Sequence, residues 1–210
     1  VYEMDGTPYK IDGVELFVVG ETPAEQPNFQ NFIYKDELTV NDDISLAGTY
    51  TGVISLYDNL VETYPDYITK SAINSDDTII YEYILTTGNY NKIVGNRPHD
   101  TEYNKPKVLI TSGVHGYEQS AVMSTYSTIK NLCENYAMRH IKEQIEVHVV
   151  PVVCPWGYDH NSRLNENGVN INRNFDADWT QTTVGDDYSG ASPASEFETQ
   201  AIQDWLDNND

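Results

Sequence analysis

Residues 107–136 run from the apolar stretch "KVLITSG" through "VHGYE" into "QSAVMSTYSTIKNLCENY", and the change of period fixes what this segment can form. A short apolar run between proline and glycine suits a strand buried in the middle of a sheet. Val122, Tyr126, Ile129, Cys133 and Tyr136 then recur at steps of three or four, which is a helix with one apolar face. The same alternation extends to either side. Tyr50, Val53, Ile54, Tyr57, Leu60, Val61 and Tyr64 predict a helix closed by Pro65. "YITKSAI" and "TIIYEYILTTG" flank the turn "NSDD" and predict an antiparallel pair. "IEVHVVPVV" is a second buried strand, broken by Pro151 and ended by "CPWG". In "PASEFETQAIQDWLDNN" the last helix starts with Ser195 as its N-cap and Glu198 at capping-box distance. Strands this apolar, alternating with helices, make a mixed α/β sheet, largely buried and flanked by helices.

Residues 1–45 break the pattern. "GETPAEQPNFQNF" is turn-rich and polar, so this part reads as a linker or the tail of a preceding module, and 46–210 as the regular domain. Thirty-three acidic against 12 basic residues give a net charge of −21, which repels a nucleic-acid backbone or an anionic membrane surface. No apolar stretch reaches the roughly 20 residues of a membrane-spanning helix. Cys133 and Cys154 follow no metal-knuckle or CxxC spacing and read as buried thiols.

Two stretches carry chemistry. His115 and Glu118 follow the carboxyl end of "KVLIT", where open α/β sheets gather ligands, and three residues apart they can face one cation. Imidazole nitrogen and carboxylate oxygen are ligands that a hydrolytic zinc uses. The same pair also suits a glutamate at a helix N-terminus beside a histidine in a polar loop. The second stretch is "NSRLNENGVNINRNFDADW", residues 161–179, which holds Arg163 and Arg173, two of the chain's four arginines, among several asparagines. An arginine fork can bind a carboxylate, and another can stabilise charge on an attacked carbonyl. Alternatively the arginines pair with surrounding Asp and Glu on a surface loop, which contributes little.

Taken in order, "GVHGYEQSA", "IEVHVVPVVCPWGYDHNSR", "NGVNINRNFDADW" and "GASPASEFETQAI" resemble the zinc carboxypeptidases of the carboxypeptidase A/B type, from the helix near Tyr50 to the end of the chain. The resemblance implies a metallocarboxypeptidase that removes C-terminal residues from peptides, those of a bacterial cell wall included, in the extracellular space or cell envelope. It implies Zn2+ held by His115 and Glu118. It also implies Arg163 as the catalytic arginine at the scissile carbonyl, and Asn172 with Arg173 as the clamp on the substrate's free C-terminal carboxylate. "CPWG" and Tyr117 depart from the family's pattern. The family's third zinc ligand and general-base glutamate lie on later segments, so the chain is expected to be the N-terminal portion of the catalytic domain, with the remainder of that domain as its partner. His160, near Arg163, is the first candidate for a local third ligand, and His148 reads as a sheet residue. A zinc deacylase of the aspartoacylase or succinylglutamate-desuccinylase type and a non-catalytic peptide-binding module are the competing readings.

Overall fold

The computed structural model describes residues 48–75, 77–86, 105–135, 138–183 and 185–209. The expectation for residues 1–45 therefore lies outside the described residues. In chain order the elements are α1 (Tyr50–Thr63), β1 (Ile68–Ala72), β2 (Tyr81–Leu85), β3 (Lys107–Thr111), α2 (Gln119–Glu134), α3 (Arg139–Gln144), β4 (Glu146–Val150), α4 (Pro155–Asp159) and α5 (Phe197–Asn209). Two single 3-10 turns, Ile171–Arg173 and Gly185–Asp187, lie between α4 and α5.

The strands form one mixed sheet in the order β1-β2-β4-β3. β1 and β2 pair antiparallel with Ile68 opposite Leu85, β2 and β4 pair antiparallel, and β3 and β4 run parallel with Val108 opposite Val147. Alternation along the strands then divides the core. Tyr83, Leu85, Val147 and Val149 pack with Val53, Tyr57 and Leu60 of α1 and Val122, Tyr126 and Ile129 of α2. Leu109 and Val150 point the other way, into the cluster with Ala201 and Ile202 of α5. The mixed sheet flanked by helices is thus present, with α1 and α2 on one face and α5 on the other.

Helix α1 starts where Thr49 Oγ1 accepts the Gly52 amide at 3.1 Å and stops at Tyr64, just before Pro65. Its inward stripe of Val53, Ile54, Tyr57 and Leu60 is the stripe that the spacing predicts. "KVLIT" differs from expectation. Among the described residues β3 has a partner on one side only, and Val108 is 41% exposed, so it is the end strand rather than a central one. Pro151 ends β4 at Val150 because a proline has no amide for the ladder, and "CPWG" turns into the short α4 instead of simply closing the strand.

On the α5 face, His148 lies between two carboxylates, Nδ1 3.0 Å from Glu82 Oε2 and Nε2 2.7 Å from Glu146 Oε1. Burial pulls His148 down, but the two glutamates outweigh it and hold the imidazole above the ordinary histidine range. Trp205 of α5 donates to the same Glu82 carboxylate at 2.9 Å, tying helix to sheet. His148 is therefore the sheet residue that its place in the strand predicts.

Tyr57, Tyr83 and Tyr126 pack ring against ring at 4.8 and 5.4 Å between centroids. The Tyr83 hydroxyl donates to Asp58 Oδ1 at 2.7 Å, whereas the fully buried Tyr57 hydroxyl has no partner among the described residues. Leaving such a group dry costs about 1–3 kcal/mol. Tyr57→Phe is expected to leave the fold intact and to raise stability by about 1 kcal/mol in chemical denaturation; a clear loss would mean that the hydroxyl is bonded in solution.

Candidate active site

The parallel strands β3 and β4 continue side by side beyond their ends. Ser112 N–H donates to Val150 O at 3.1 Å, Val153 N–H to Ser112 O at 2.9 Å, and Cys154 N–H to Gly113 O at 3.0 Å. The two chains then press together. A Cβ on Gly116 would lie 1.9 Å from the carbonyl of Gly157, so only glycine allows this approach. Gly116 N–H donates to Ser162 O, and Ser162 N–H to Gly157 O, both at 2.8 Å. The residues flanking Gly116, His115 and Tyr117, are thereby fixed against the segment that leads into Arg163.

His115 is buried, with Nε2 3.1 Å from Asn170 Oδ1 and Nδ1 3.0 Å from Glu118 Oε1. Asn170 settles the tautomer. Its amide nitrogen donates to the Asp186 carbonyl at 2.8 Å, and its Oδ1 already accepts the Asn172 amide at 3.0 Å, so Oδ1 faces His115 as an acceptor. Nε2 must carry the proton. Nδ1 then presents its lone pair to a carboxylate oxygen, and two acceptors at that distance require a proton or a cation between them. Glu118 occupies the N-cap position of α2 but makes no capping bond, since its side chain turns to His115 instead. Its side chain is 43% exposed, which leaves the pair open on one side. This is half of a zinc-type donor set, with its second nitrogen oriented from behind. Among the described residues no group of three His, Cys, Asp or Glu could hold a metal ion. His160 does not complete the set: it stacks on Trp156 at 4.1 Å, with Nδ1 2.8 Å from that residue's carbonyl.

Arg163 Nε donates to the Asp186 carbonyl at 3.3 Å and Nη1 to Tyr117 Oη at 2.7 Å. Tyr117 in turn stacks parallel on the His115 ring, 5.9 Å away. A closed circuit results: His115, Asn170, the Asp186 carbonyl, Arg163, Tyr117 and back to His115. Asn172 and Arg173 follow on the exposed side of the turn that Asn170 starts. Arg173 Nη2 lies 3.4 Å from Asp187, both largely exposed, so for this arginine the surface pairing with a nearby acid does occur. The five residues singled out in the sequence are therefore gathered around one turn and one loop. Asn170 was not among them, although a polar residue between the buried Val169 and Ile171 was its one signal.

The asparagine-rich loop is scaffolding rather than free surface. Asn165, Asn170 and Asn174 are buried. Asn165 Nδ2 donates to Glu196 Oε2 at 2.7 Å and to Glu198 Oε2 at 3.2 Å, and Asn167 Nδ2 adds a bond to Glu196 at 2.8 Å. Asn174 donates to Ser195 Oγ and accepts the Glu196 amide. The predicted capping box is consequently not formed. α5 starts at Phe197, the Ser195 hydroxyl donates to Glu196 Oε1 at 2.7 Å, and the Glu198 carboxylate faces Asn165 and Cys154. Holding the loop competes for these side chains and wins. Burial raises Glu196, but the bonds from Asn167, Asn165 and Ser195 together hold it below the usual carboxylate range. Burial lifts Glu198 above that range, with the neighbouring Glu196 charge adding to it. Burial also pushes the Cys154 thiol up to about 12, so Cys154 is the inert buried thiol that the sequence suggests.

A family model described as zinc carboxypeptidase matches residues 53–210. Carboxypeptidase B of Rattus norvegicus is 25% identical over 93% of this chain and 55% of its own length. Murein peptide amidase A of Escherichia coli is 35% identical over 45% of this chain and 41% of its own. The crystal structure of the carboxypeptidase A from Helicoverpa armigera superposes with a TM-score of 0.64 at 22% identity, covering 77% of this chain and 42% of that one, which shows the same fold. The chain spans about half the length of the curated relatives it matches.

Two outcomes test this geometry. Asn170→Ala is expected to weaken zinc binding about 10- to 100-fold, measured by competition with a chelating dye, because the imidazole loses the group that orients it. Unchanged affinity in a folded variant would contradict the tautomer argument. The two buried glutamates should respond to pH with opposite sign. Glu196, held low, contributes stability above the ordinary carboxylate range that is lost as pH falls through its folded value; Glu198, held high, contributes at acid pH and loses it as pH rises. Glu196→Gln should therefore lower the melting temperature most at neutral pH, whereas Glu198→Gln should be neutral or stabilising there. The same response from both variants between pH 4 and 8 would refute the assignment.

Proposed function

Since the chain belongs to the zinc carboxypeptidase family, we propose that it carries the substrate-clamping half of a metallocarboxypeptidase site, which removes C-terminal residues from peptides. The observation that carries this is the orientation of His115: Asn170 Oδ1 on Nε2 leaves the Nδ1 lone pair beside Glu118. His115 and Glu118 would hold the zinc, whose chemistry is to polarise a carbonyl and lower the pKa of a bound water.

This chain's own residues do the rest of the positioning. Arg163, held by the Asp186 carbonyl and Tyr117, faces the carbonyl to be cut and stabilises the charge that develops on its oxygen. Asn172 and Arg173 grip the terminal carboxylate, the charge by which an exopeptidase recognises its substrate's last residue. An incoming carboxylate replaces Asp187 at Arg173. That displacement costs little, because an exposed ion pair at 3.4 Å is weak. The third ligand and the general base come from outside the described residues, in the remainder of the catalytic domain. The one-sided pairing of β3 supports this, since a further strand there would cover Val108.

The likeness to a murein peptide amidase adds cell-wall peptides to the candidate substrates. Among the described residues no helix is long and apolar enough to cross a membrane.

Zinc content after dialysis, measured on the catalytic domain with its third ligand present and on the His115→Ala variant of that domain, tests the metal half: about one equivalent, lost in the variant, is expected, and zinc retained by the variant would refute the assignment. For the clamp, Arg173→Ala should weaken binding of 3-phenylpropanoate, a ligand with a carboxylate and no amide, about 10-fold or more by calorimetry. Equal affinity would place the carboxylate elsewhere.

A further inference from the structure

Tyr117 stands between the two metal-facing residues in sequence and touches both halves of the site in space. Its ring lies parallel to the His115 imidazole, with 6° between planes and 5.9 Å between centroids. Its hydroxyl oxygen accepts from Arg163 Nη1 at 2.7 Å, a short bond from a charged donor. A phenol that accepts a bond still has its own proton to give. Among the described residues nothing accepts that proton, and Tyr117 is 45% exposed, so the O–H is offered to the open side of the site. Arg163 is in the same position. Nε is held by the Asp186 carbonyl and Nη1 by Tyr117, while Nη2 has no partner among the described residues.

Two unspent donors therefore stand on side chains already joined by a hydrogen bond. One substrate oxygen can accept from both, as an oxyanion does from paired donors at 2.7–3.1 Å. Accepting from a guanidinium also polarises the phenol and strengthens the bond it donates. The position cannot drift: Tyr117 follows Gly116, which the contact with Gly157 fixes, and its ring rests on a buried histidine.

We propose that Tyr117 is a further substrate-contacting residue of this site, whose hydroxyl donates to the same carbonyl oxygen that Arg163 binds. The proposal rests on the reading of Arg163 given under the proposed function. It gives the departure at this position a role, as a neutral donor paired with the arginine.

The test uses the catalytic domain with its third ligand present and zinc added, and a dipeptide analogue in which a phosphonate replaces the scissile amide, as a mimic of the charged tetrahedral oxygen. Tyr117→Phe should weaken phosphonate binding about 10-fold in calorimetry, while 3-phenylpropanoate, which has a carboxylate but no amide carbonyl, binds within about 2-fold of the unmodified chain. With tyrosine labelled at Cζ, the Tyr117 carbon resonance, identified by its absence in Tyr117→Phe, should move when phosphonate is added. Phosphonate affinity unchanged in Tyr117→Phe overturns the proposal. So does a weakened affinity with a stationary resonance, which would leave Tyr117 as a positioning group for Arg163 alone. Arg163→Ala separates the two levels: if it leaves phosphonate binding intact, the reading of Arg163 itself fails, whereas a loss there with no effect of Tyr117→Phe refutes only the role of Tyr117.

Discussion

The bond between His115 Nε2 and Asn170 Oδ1 is the constraint on which the site depends. Asn170 is fully buried, and each of its polar atoms is committed: Nδ2 to the Asp186 carbonyl, Oδ1 to the Asn172 amide and to His115. A buried amide so saturated has one orientation, because flipping it would set donor against donor. That orientation imposes the Nε2–H tautomer on His115 and aims Nδ1 at Glu118. It also sets the turn Ile171–Arg173 and, through Asp186, the place of Arg163. His115 and Glu118, Arg163, and Asn172 with Arg173, the residues proposed as metal pair, catalytic arginine and carboxylate clamp, are thus held by one side chain.

Beneath this lies a backbone contact that only glycine permits. Gly116 against Gly157 brings the loop after β3 onto the loop after β4, so the parallel pair of strands delivers both halves of the site to the same place. The buried Glu196 and Glu198 hold the asparagine loop from the other side, through Asn165 and Asn167. Two carboxylates so close are tolerated because one is stabilised charged by three hydrogen bonds while burial favours the proton on the other. The strongly acidic composition therefore includes buried carboxylates that hold the loop.

The fold was legible where periodicity carries it. The stripe of α1, the β1–β2 pair and the stripe of α2 follow from the sequence pattern; burial bears out the two stripes, Tyr136 lying outside the described residues, and the register bears out the pair. Spacing cannot tell which strand of a sheet lies at its end, since that depends on partners distant in sequence; "KVLIT" reads as central and is the end strand among the described residues. Ser195 and Glu198 have capping-box spacing, but their side chains are drawn to Asn174, Glu196 and Asn165, contacts that no local rule contains. His115 and Glu118 were legible as a pair with two possible meanings. The residue that orients the pair, Asn170, lies 55 positions away and is recognisable only once the chain has folded.

The tautomer of His115 is the central claim, and nitrogen NMR of histidine-labelled protein measures it directly. Long-range correlation spectra, with His115 assigned by substitution, should show the proton on Nε2 at pH 8, and added zinc should shift Nδ1 while Nε2–H persists. A proton on Nδ1, or zinc shifting Nε2 instead, would contradict the account.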